Sequence, residues 1–237
     1  MQIFLDIETA PTEDADTIAA IRAGIRPPAN YKKPETIAAW METEGEAAAL
    51  DAIGRTALDG GAGQVIAIGL ARDDDAPPLV LTRTPGAPEP ELLRAFFERV
   101  QDWTASETVT MANGLPLWDA PPYFIAHHAA FDLGFLWRRS IVHGLRPPFP
   151  LPGPNARPGK DYGCTMQAWA GYRERVSLQA LCRALALPDP KAEGTGAQAW
   201  EWWKAGDLKR VMRYCAGDVE AVRAIWHRLA PMMGTPA

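Results

Sequence analysis

The chain opens with MQIFLDIETAP (residues 1–11), in which two acids follow directly after an apolar run. The apolar residues predict a buried strand over residues 2–6 that ends at the acids. Because residues i and i+2 of a strand point to the same side, Asp6 and Glu8 would share one face. Two carboxylates held so close repel each other and lose hydration unless a cation lies between them. The alternative is that the strand has already ended and that both acids are solvated.

The overall composition is that of an ordinary globular protein. Of the 237 residues, 47% are hydrophobic and 22% are charged, which suits one large domain or two small ones. The net charge of −5 argues against a protein that holds nucleic acid through a broad basic surface. It leaves room for an enzyme that binds phosphates through metal ions. Positive charge is clustered at Arg138 with Arg139 and Arg146, at Arg157 with Lys160, at Arg173 with Arg175, and from Lys204 through Arg213.

The sequence carries no pattern typical of membrane or secreted proteins. No run approaches the ~20 apolar residues that a membrane helix needs, so we expect no membrane partner. The N-terminus lacks a basic region followed by an apolar run and a cleavage site. Cys164, Cys182 and Cys215 are too far apart for a CxxC motif. They predict reduced, buried thiols in a cytoplasmic protein.

Apolar patterning predicts strands in the first part of the chain and helices in the rest. The predicted strands are 2–6, 63–73, 78–84 and 121–128, and the predicted helices are 14–23, 35–57, 88–102, 130–144, 164–172, 177–187, about 197–204 and 207–230. The aromatic run AWEWW (199–203) favours helix packing over base stacking. This α/β order predicts a single domain over residues 1–237, with a largely helical insertion at about 12–60.

Two later segments also carry acids at defined places in predicted elements. In IAHHAAFDLGF (125–135), Asp132 lies in the first turn of a helix that follows a buried strand. An acid there also complements the helix dipole, which is the common alternative. In RYCAGDVEAV (213–222), Tyr214 and Asp218 are four residues apart and share one helix face. An ordinary surface pair explains them equally well when the segment is taken alone.

The order of the three segments is far more specific than any one of them. FLDIETAP (4–11), HHAAFD (127–132) and YCAGD (214–218) follow one another along the chain. Together they resemble the three motifs of the DEDD superfamily of 3′–5′ exonucleases, in its tyrosine-bearing (DEDDy) branch. The resemblance runs from residue 1 to about residue 226.

Further segments support this resemblance. GCTMQAW (163–169) is similar to the threonine-containing segment after the second motif, and SLQALCRALALP (177–188) to the short helix that follows it. NYKKPETIAAW (30–40) resembles the predicted exonucleases related to the proofreading domain of family-B DNA polymerases. The resemblance implies a ribonuclease H-like α/β fold, with a mixed five-stranded sheet flanked by helices.

The resemblance also implies a catalytic set. Asp6, Glu8, Asp132 and Asp218 would hold two divalent cations, with Asp6 shared between them. Hard oxygen ligands suit Mg²⁺ or Mn²⁺, and such a pair stabilises charge on both the attacking and the leaving oxygen of a phosphodiester. Tyr214 would orient the attacking water. Since the ordinary pKa of a phenol is near 10, Tyr214 is a poor base at neutral pH.

Four residues are candidates for contact with the terminal nucleotide. The backbone amides around Ile7 and Thr9 would meet it if the family pattern holds. The ring of Phe131 would stack on a base, although core packing is an equal alternative. The second motif commonly has Asn four residues before its Asp, and here His128 takes that place. His128 would either donate a hydrogen bond to substrate or fix the turn.

These observations predict a metal-dependent 3′–5′ exonuclease. Its expected substrate is the 3′ end of single-stranded DNA, and its expected products are nucleoside 5′-monophosphates. A 3′–5′ exoribonuclease or oligoribonuclease is the alternative within the class, because no residue can be assigned to sense the 2′-hydroxyl. A catalytically silent nucleic-acid-binding module and a metal-dependent phosphatase are alternatives of other classes. The intact acids argue against the first, and the late Tyr–Asp pair against the second.

Overall fold

A five-stranded mixed sheet runs through the computed structural model of the chain, in the order β3-β2-β1-β6-β7. Its middle strand is β1 (Gln2–Ala10), followed outward on one side by β2 (Gln64–Arg72) and β3 (Leu79–Thr82). On the other side lie β6 (Tyr123–Ala126) and β7 (Gly163–Cys164). β6 runs parallel to both β1 and β7, whereas β2 and β3 are antiparallel. The sheet and the helices beside it confirm the predicted ribonuclease H-like fold class.

The structure describes residues 1–105, 121–192 and 194–234 with their side chains. It also describes the backbone of an antiparallel pair, β4 (Thr108–Thr110) and β5 (Pro116–Trp118). Among the helices of these residues, none combines the length and the apolar character that a membrane crossing requires.

The chain divides into two compact units. The first, here called the core unit, comprises Met1–Glu8 and Val65–Ala237, and the second, the inserted unit, comprises Thr9–Gln64. The inserted unit contains α1 (Ala15–Gly24), α2 (Pro34–Thr43), α3 (Gly45–Arg55) and a 3₁₀ turn at Thr56–Leu58. Thr12 is tied to this turn, because its amide donates to the Thr56 hydroxyl at 2.8 Å. This division into compact units does not decide whether residues 1–237 act as one domain with an insertion at about 12–60, which stays a prediction.

The core unit surrounds its sheet with six α-helices among the described residues. They are α4 (Glu89–Thr104), α5 (Ala129–Val142), α6 (Thr165–Ala170), α7 (Leu178–Ala184), α8 (Gly196–Lys204) and α9 (Leu208–Leu229). The alternation of side chains along β1 separates two apolar clusters. Ile3 packs in the cluster that includes residues of α4 and α5, and Phe4 in the cluster that includes residues of α7 and α9.

The parallel pairing of β1 with β6 decides which ends of these elements meet. Phe4 is in register with Ile125, so both strands run toward the same edge of the sheet. β6 ends at Ala126 and α5 begins at Ala129, which brings the first turn of α5 to that edge. The sequence prediction ended the first strand at residue 6, but β1 continues to Ala10. The two acids are therefore strand residues, because sheet pairing continues past them.

The last long helix lies very close to the sheet at a glycine of β2. At Gly69 of β2, a Cβ atom would lie 2.7 Å from Val219 and 2.8 Å from the Cys215 sulfur of α9. The helix starts at an N-cap, Asp207, whose carboxylate accepts from the Arg210 amide at 3.2 Å. α9 is thus fixed in position at its start and against β2.

The structure confirms one sequence prediction on another element and adds a strand that the sequence did not predict. Trp202 and Trp203 are buried, and the indole N–H of Trp203 donates to the Arg83 carbonyl at 2.6 Å, which confirms helix packing for AWEWW. The two-residue strand β7 was missed. A strand that short has no alternation that sequence could reveal, and only its pairing with β6 defines it.

We predict that Gly69→Ala destabilises the protein by about 1–3 kcal/mol, because the added methyl group overpacks the contact between β2 and α9. The free energy of unfolding in urea measures this effect. Gly217→Ala is the matched control, since it lies on α9 and its added methyl would meet only the Pro190 carbonyl at 4.0 Å. The control should be neutral or up to about 1 kcal/mol more stable. An equal loss of unfolding free energy in both variants would contradict the close contact between β2 and α9 at Gly69.

Candidate active site

Four carboxylates from three separate parts of the chain converge in the core unit. Asp6 and Glu8 lie on β1, Asp132 in the first turn of α5 and Asp218 in the middle of α9. Glu8, Asp132 and Asp218 are 6%, 5% and 4% exposed. Carboxylates are rarely so buried unless they are paired or bind a metal.

Burial raises the pKa values of all four carboxyl groups, and neighbouring acids raise those of Asp6, Glu8 and Asp132 further. Burial, then Asp218, Glu8 and Asp132, raise the pKa of Asp6 well above its ordinary value. Burial and Asp218 do the same for Glu8. Burial raises the pKa of Asp132 to about 7, although the backbone amides of Asp132 itself and of Ile7 favour its charged form. Without a compensating cation, the cluster therefore holds protons that isolated carboxyl groups would release.

The oxygens of this cluster suit a divalent cation. Two buried carboxylate oxygens, Asp6 Oδ2 and Asp218 Oδ1, have no hydrogen-bond partner among the described residues. Ligand atoms of Asp6, Glu8 and Cys215 lie within 4.8 Å of one another. Hard carboxylate oxygens of this kind match Mg²⁺ or Mn²⁺. An unsatisfied buried acceptor is costly, and a bound cation would remove that cost.

The thiol of Cys215 does not belong to such a ligand set. Burial and the nearby acids raise its pKa well above the ordinary value, so it stays protonated, whereas the thiolate is the metal-binding form. Its sulfur instead donates to the Asp6 carbonyl at 3.7 Å. Cys215 therefore acts in packing, at the contact between α9 and β2.

Lys191, which the sequence reading missed, supplies the positive charge nearest to the acids. Its ammonium donates hydrogen bonds both to the Tyr214 hydroxyl and to Asp218 Oδ2. It also lies 4.3 Å from the centre of the Tyr214 ring. Lys191 stands in the turn before α8, within DPKA (189–192). A single lysine in a proline-containing turn gives no periodic signal, so only the folded chain reveals this role.

Tyr214 is held rigidly beside the carboxylates. It is 2% exposed, and its ring meets that of Trp202 edge-on, with centroids 5.7 Å apart. Burial, followed by Asp218, Glu8 and Asp6, raises the pKa of its phenol far above the ordinary value. Without a bound cation, the hydroxyl therefore keeps its proton at neutral pH. It can donate a hydrogen bond, but it cannot act as a base.

The two adjacent histidines before α5 have different surroundings. His127 bonds through Nδ1 to the Thr165 hydroxyl at 2.9 Å and through Nε2 to the Val176 carbonyl at 2.8 Å. His128 makes no side-chain capping bond, and its ring lies nearly parallel to that of Phe131, with centroids 6.1 Å apart. His127 thus joins the start of α5 to the segments around residues 165 and 176, a link that the sequence reading also missed.

The other candidate substrate contacts have structural surroundings of their own. Phe131 is partly buried against the core, with its ring centroid 5.6 Å from that of Phe135. Ile7 has its side chain in the same apolar cluster. In the inserted unit, the Thr9 hydroxyl donates to the Ala57 carbonyl at 2.8 Å. The roles of these residues toward substrate remain predictions.

The chain matches a known family. A family model described as "Predicted 3'-5' exonuclease related to the exonuclease domain of PolB" matches residues 61–236. The matched region contains Asp132, Lys191, Tyr214 and Asp218, whereas Asp6 and Glu8 precede it. The two acids of β1 therefore join the candidate active site because of their position in the fold, and not because of the family match. No curated protein matches the chain.

We predict that the metal-free protein loses stability as the pH rises from about 4 to about 7. Folded Asp132 keeps its proton up to about pH 7, whereas the unfolded chain releases it near the ordinary pKa of 3.8. The folded state binds more protons in between, so stability falls with rising pH. Melting temperatures in chelator measure the slope, and Mn²⁺ at pH 8 should restore stability.

Asp132→Asn is the matched variant for this test, and its slope should be shallower. His127 acts in the opposite sense, because burial lowers the pKa of its imidazole. The difference between the two slopes therefore isolates the carboxyl group. Glu220→Gln, an exposed acid of α9, should keep the wild-type slope. Identical slopes in wild type and Asp132→Asn would show that this carboxyl titrates normally.

Proposed function

The chain belongs to the family of predicted 3′–5′ exonucleases related to the exonuclease domain of PolB, and on that premise we propose a specific activity. The protein is a tyrosine-branch exonuclease that uses two divalent ions. It hydrolyses phosphodiesters from the 3′ end of single-stranded DNA and releases nucleoside 5′-monophosphates. The observation that carries this proposal is the cluster of Asp6, Glu8, Asp132 and Asp218, the last three buried and Asp6 partly buried, with two buried carboxylate oxygens unpartnered among the described residues.

The four carboxylates would hold Mg²⁺ or Mn²⁺. When bound, such ions lower the pKa of water and stabilise charge on the attacking and leaving oxygens. The contribution of the chain is to supply negative charge in a buried place, so that the phosphodiester, itself an anion, meets a neutralised site. This explains how a chain with a net charge of −5 can act on nucleic acid.

Tyr214 and Lys191 would act together on the attacking water. Because the Lys191 ammonium donates to the phenol oxygen, the phenol hydrogen is directed to another acceptor. A water molecule beside the acids is the acceptor that the reaction requires. The phenol would hold this water by a hydrogen bond and would not deprotonate it, in line with its raised pKa. Lys191 would also keep Asp218 in place through its second bond.

The terminal nucleotide would lie beside the start of α5. There the ring of Phe131, stacked on His128, offers an aromatic face to a base. The backbone amides of Ile7 and Thr9 would contact the nucleotide from β1. We further propose that residues 1–237 form one exonuclease domain, in which residues 12–60 are an insertion. A cytoplasmic location agrees with the three free, buried cysteines.

We predict that Asp6→Ala, Asp132→Ala and Asp218→Ala each nearly abolish cleavage, because each removes a cation ligand. Tyr214→Phe should lose less, on the order of 10²–10⁴-fold in kcat, as for other groups that position a proton. Single-turnover digestion of end-labelled DNA measures these rates. Glu220→Gln changes an exposed acid two residues from Asp218 and should retain the wild-type rate. A Tyr214→Phe enzyme at full rate would remove the proposed role of the phenol.

We predict that 5′-labelled single-stranded DNA is shortened stepwise from its 3′ end in Mg²⁺ or Mn²⁺ and remains intact in chelator. A matched RNA oligonucleotide should be shortened more slowly. Faster RNA cleavage would reverse the sugar preference and indicate an exoribonuclease. Binding without cleavage in either metal would indicate a silent module. Release of phosphate from a monoester, without shortening of DNA, would indicate a phosphatase.

A further inference from the structure

A short segment that begins in the last turn of α6 exposes two large aromatic rings. In this segment, WAGYRER (169–175), here called the 169–175 loop, Trp169 of α6 is 48% exposed and Tyr172, just beyond the helix, is 78% exposed. Among the described residues, the only other exposed aromatic side chain is Tyr31, at 36%, in the inserted unit. Isolated exposed apolar residues are ordinary, but two large rings three residues apart are characteristic of a binding surface.

Two arginines follow these rings in the same loop. Arg173 and Arg175 are both exposed, and neither forms a hydrogen bond or salt bridge with a described residue. The only acid between them is Glu174. The loop therefore combines aromatic faces with unpaired positive charge, in a chain whose net charge is −5. Both kinds of group are available to a ligand.

Hydrogen bonds hold this loop beside the candidate active site. His127 bonds to Thr165 before the loop and to Val176 after it, so both sides of the loop are tied to the start of α5. Gly171, with φ +76°, ends α6 and turns the chain outward. Burial and the charge of Arg175 lower the pKa of His128, which places Arg175 near the His128–Phe131 ring pair.

We propose that the 169–175 loop binds the single-stranded nucleic acid that lies upstream of the 3′-terminal nucleotide. Trp169 and Tyr172 would stack on bases, and Arg173 and Arg175 would bind phosphates. Proteins that hold single strands without sequence preference combine these same two groups. The proposal rests on the proposed exonuclease function.

A single strand fits this loop better than a protein partner does. Aromatic and arginine side chains are also enriched at the energetically important positions of protein interfaces. The composition of the loop alone therefore does not distinguish a nucleic-acid strand from a protein partner. The connection through His127 decides between them, because it places the loop beside the site that would hold the 3′ end. A substrate strand must leave that site across neighbouring surface. Guanidinium groups pair with phosphate oxygens through two hydrogen bonds and also stack on bases, so they suit this path.

Binding of a 5′-fluorescein-labelled 12-nucleotide oligo(dT), measured by anisotropy in Ca²⁺, tests the proposal apart from catalysis. Tyr172→Ala and Trp169→Ala should each weaken binding about 5- to 100-fold, the range that corresponds to one lost stacking contact. Tyr172→Phe keeps the ring and should bind as the wild type does. Arg173→Gln with Arg175→Gln should weaken binding and make its salt dependence shallower, by about 0.7 per lost phosphate contact.

Matched controls change the same residue types elsewhere. Tyr31→Ala removes an exposed ring of the inserted unit, and Arg99→Gln removes an exposed charge of α4. Both should bind the 12-mer as the wild type does. A dinucleotide has only one nucleotide upstream of its 3′-terminal one, so its kcat/KM should fall less than that of the 12-mer in Tyr172→Ala and Trp169→Ala. Melting temperatures should be unchanged throughout, because the substituted side chains are exposed.

Several results would overturn the proposal. Wild-type affinity in Tyr172→Ala and Trp169→Ala would do so, as would equal losses in Tyr31→Ala and Arg99→Gln. A change in self-association without a change in oligonucleotide binding would assign the loop to contact between copies of the chain. If the wild type shortens DNA but the loop variants bind normally, only this proposal fails. If the wild type binds the 12-mer through the loop but cleaves nothing, only the proposed activity fails.

Discussion

Repulsion among four carboxylates, of which Glu8, Asp132 and Asp218 are buried and Asp6 is partly buried, is the constraint on which the rest of the structure depends. Burial raises the pKa values of all four, and neighbouring acids raise those of Asp6, Glu8 and Asp132 further. A chain selected for stability alone would not hold acids together in this way, since replacing a buried charge by an apolar group is often stabilising. Under the proposed function, a cation would complete this cluster. The surrounding elements serve to bring the acids together against this repulsion.

Strand pairing and helix packing bring the acids together. Parallel pairing of β1 with β6 brings the acids of β1 and the first turn of α5 to one edge of the sheet. The third part of the chain arrives on α9, which packs against Gly69 of β2 and so brings Asp218 to the same place. The packing that excludes water from the acids is thus the same packing that stabilises the sheet. The stability of the fold and the properties of the candidate site therefore depend on the same contacts.

Sequence alone could predict the acids but not the groups that surround them. The alternation at Asp6 and Glu8 and the four-residue spacing of Tyr214 and Asp218 follow from strand and helix periodicity, which short motifs display. Lys191 and His127 act through single long-range contacts, to residues 23 to 49 positions away, and leave no local pattern. The end of β1 was misplaced for a related reason. A prediction from local sequence ends a strand at its first charged residues. In the folded chain β1 extends to Ala10 as part of the sheet.

Lys191 shows why the cluster still requires a cation or protons. One ammonium bonded to Asp218 offsets one of four negative charges, and the pKa values of the other carboxyls remain raised in its presence. The same excess negative potential acts on the phenol of Tyr214 and prevents it from ionising. In the metal-free protein this field keeps the neighbouring hydroxyl a hydrogen-bond donor, and under the proposed function it would also attract a divalent ion to the acids. A phenol that ionised there would become a fifth anion and could no longer donate a hydrogen bond to a water molecule.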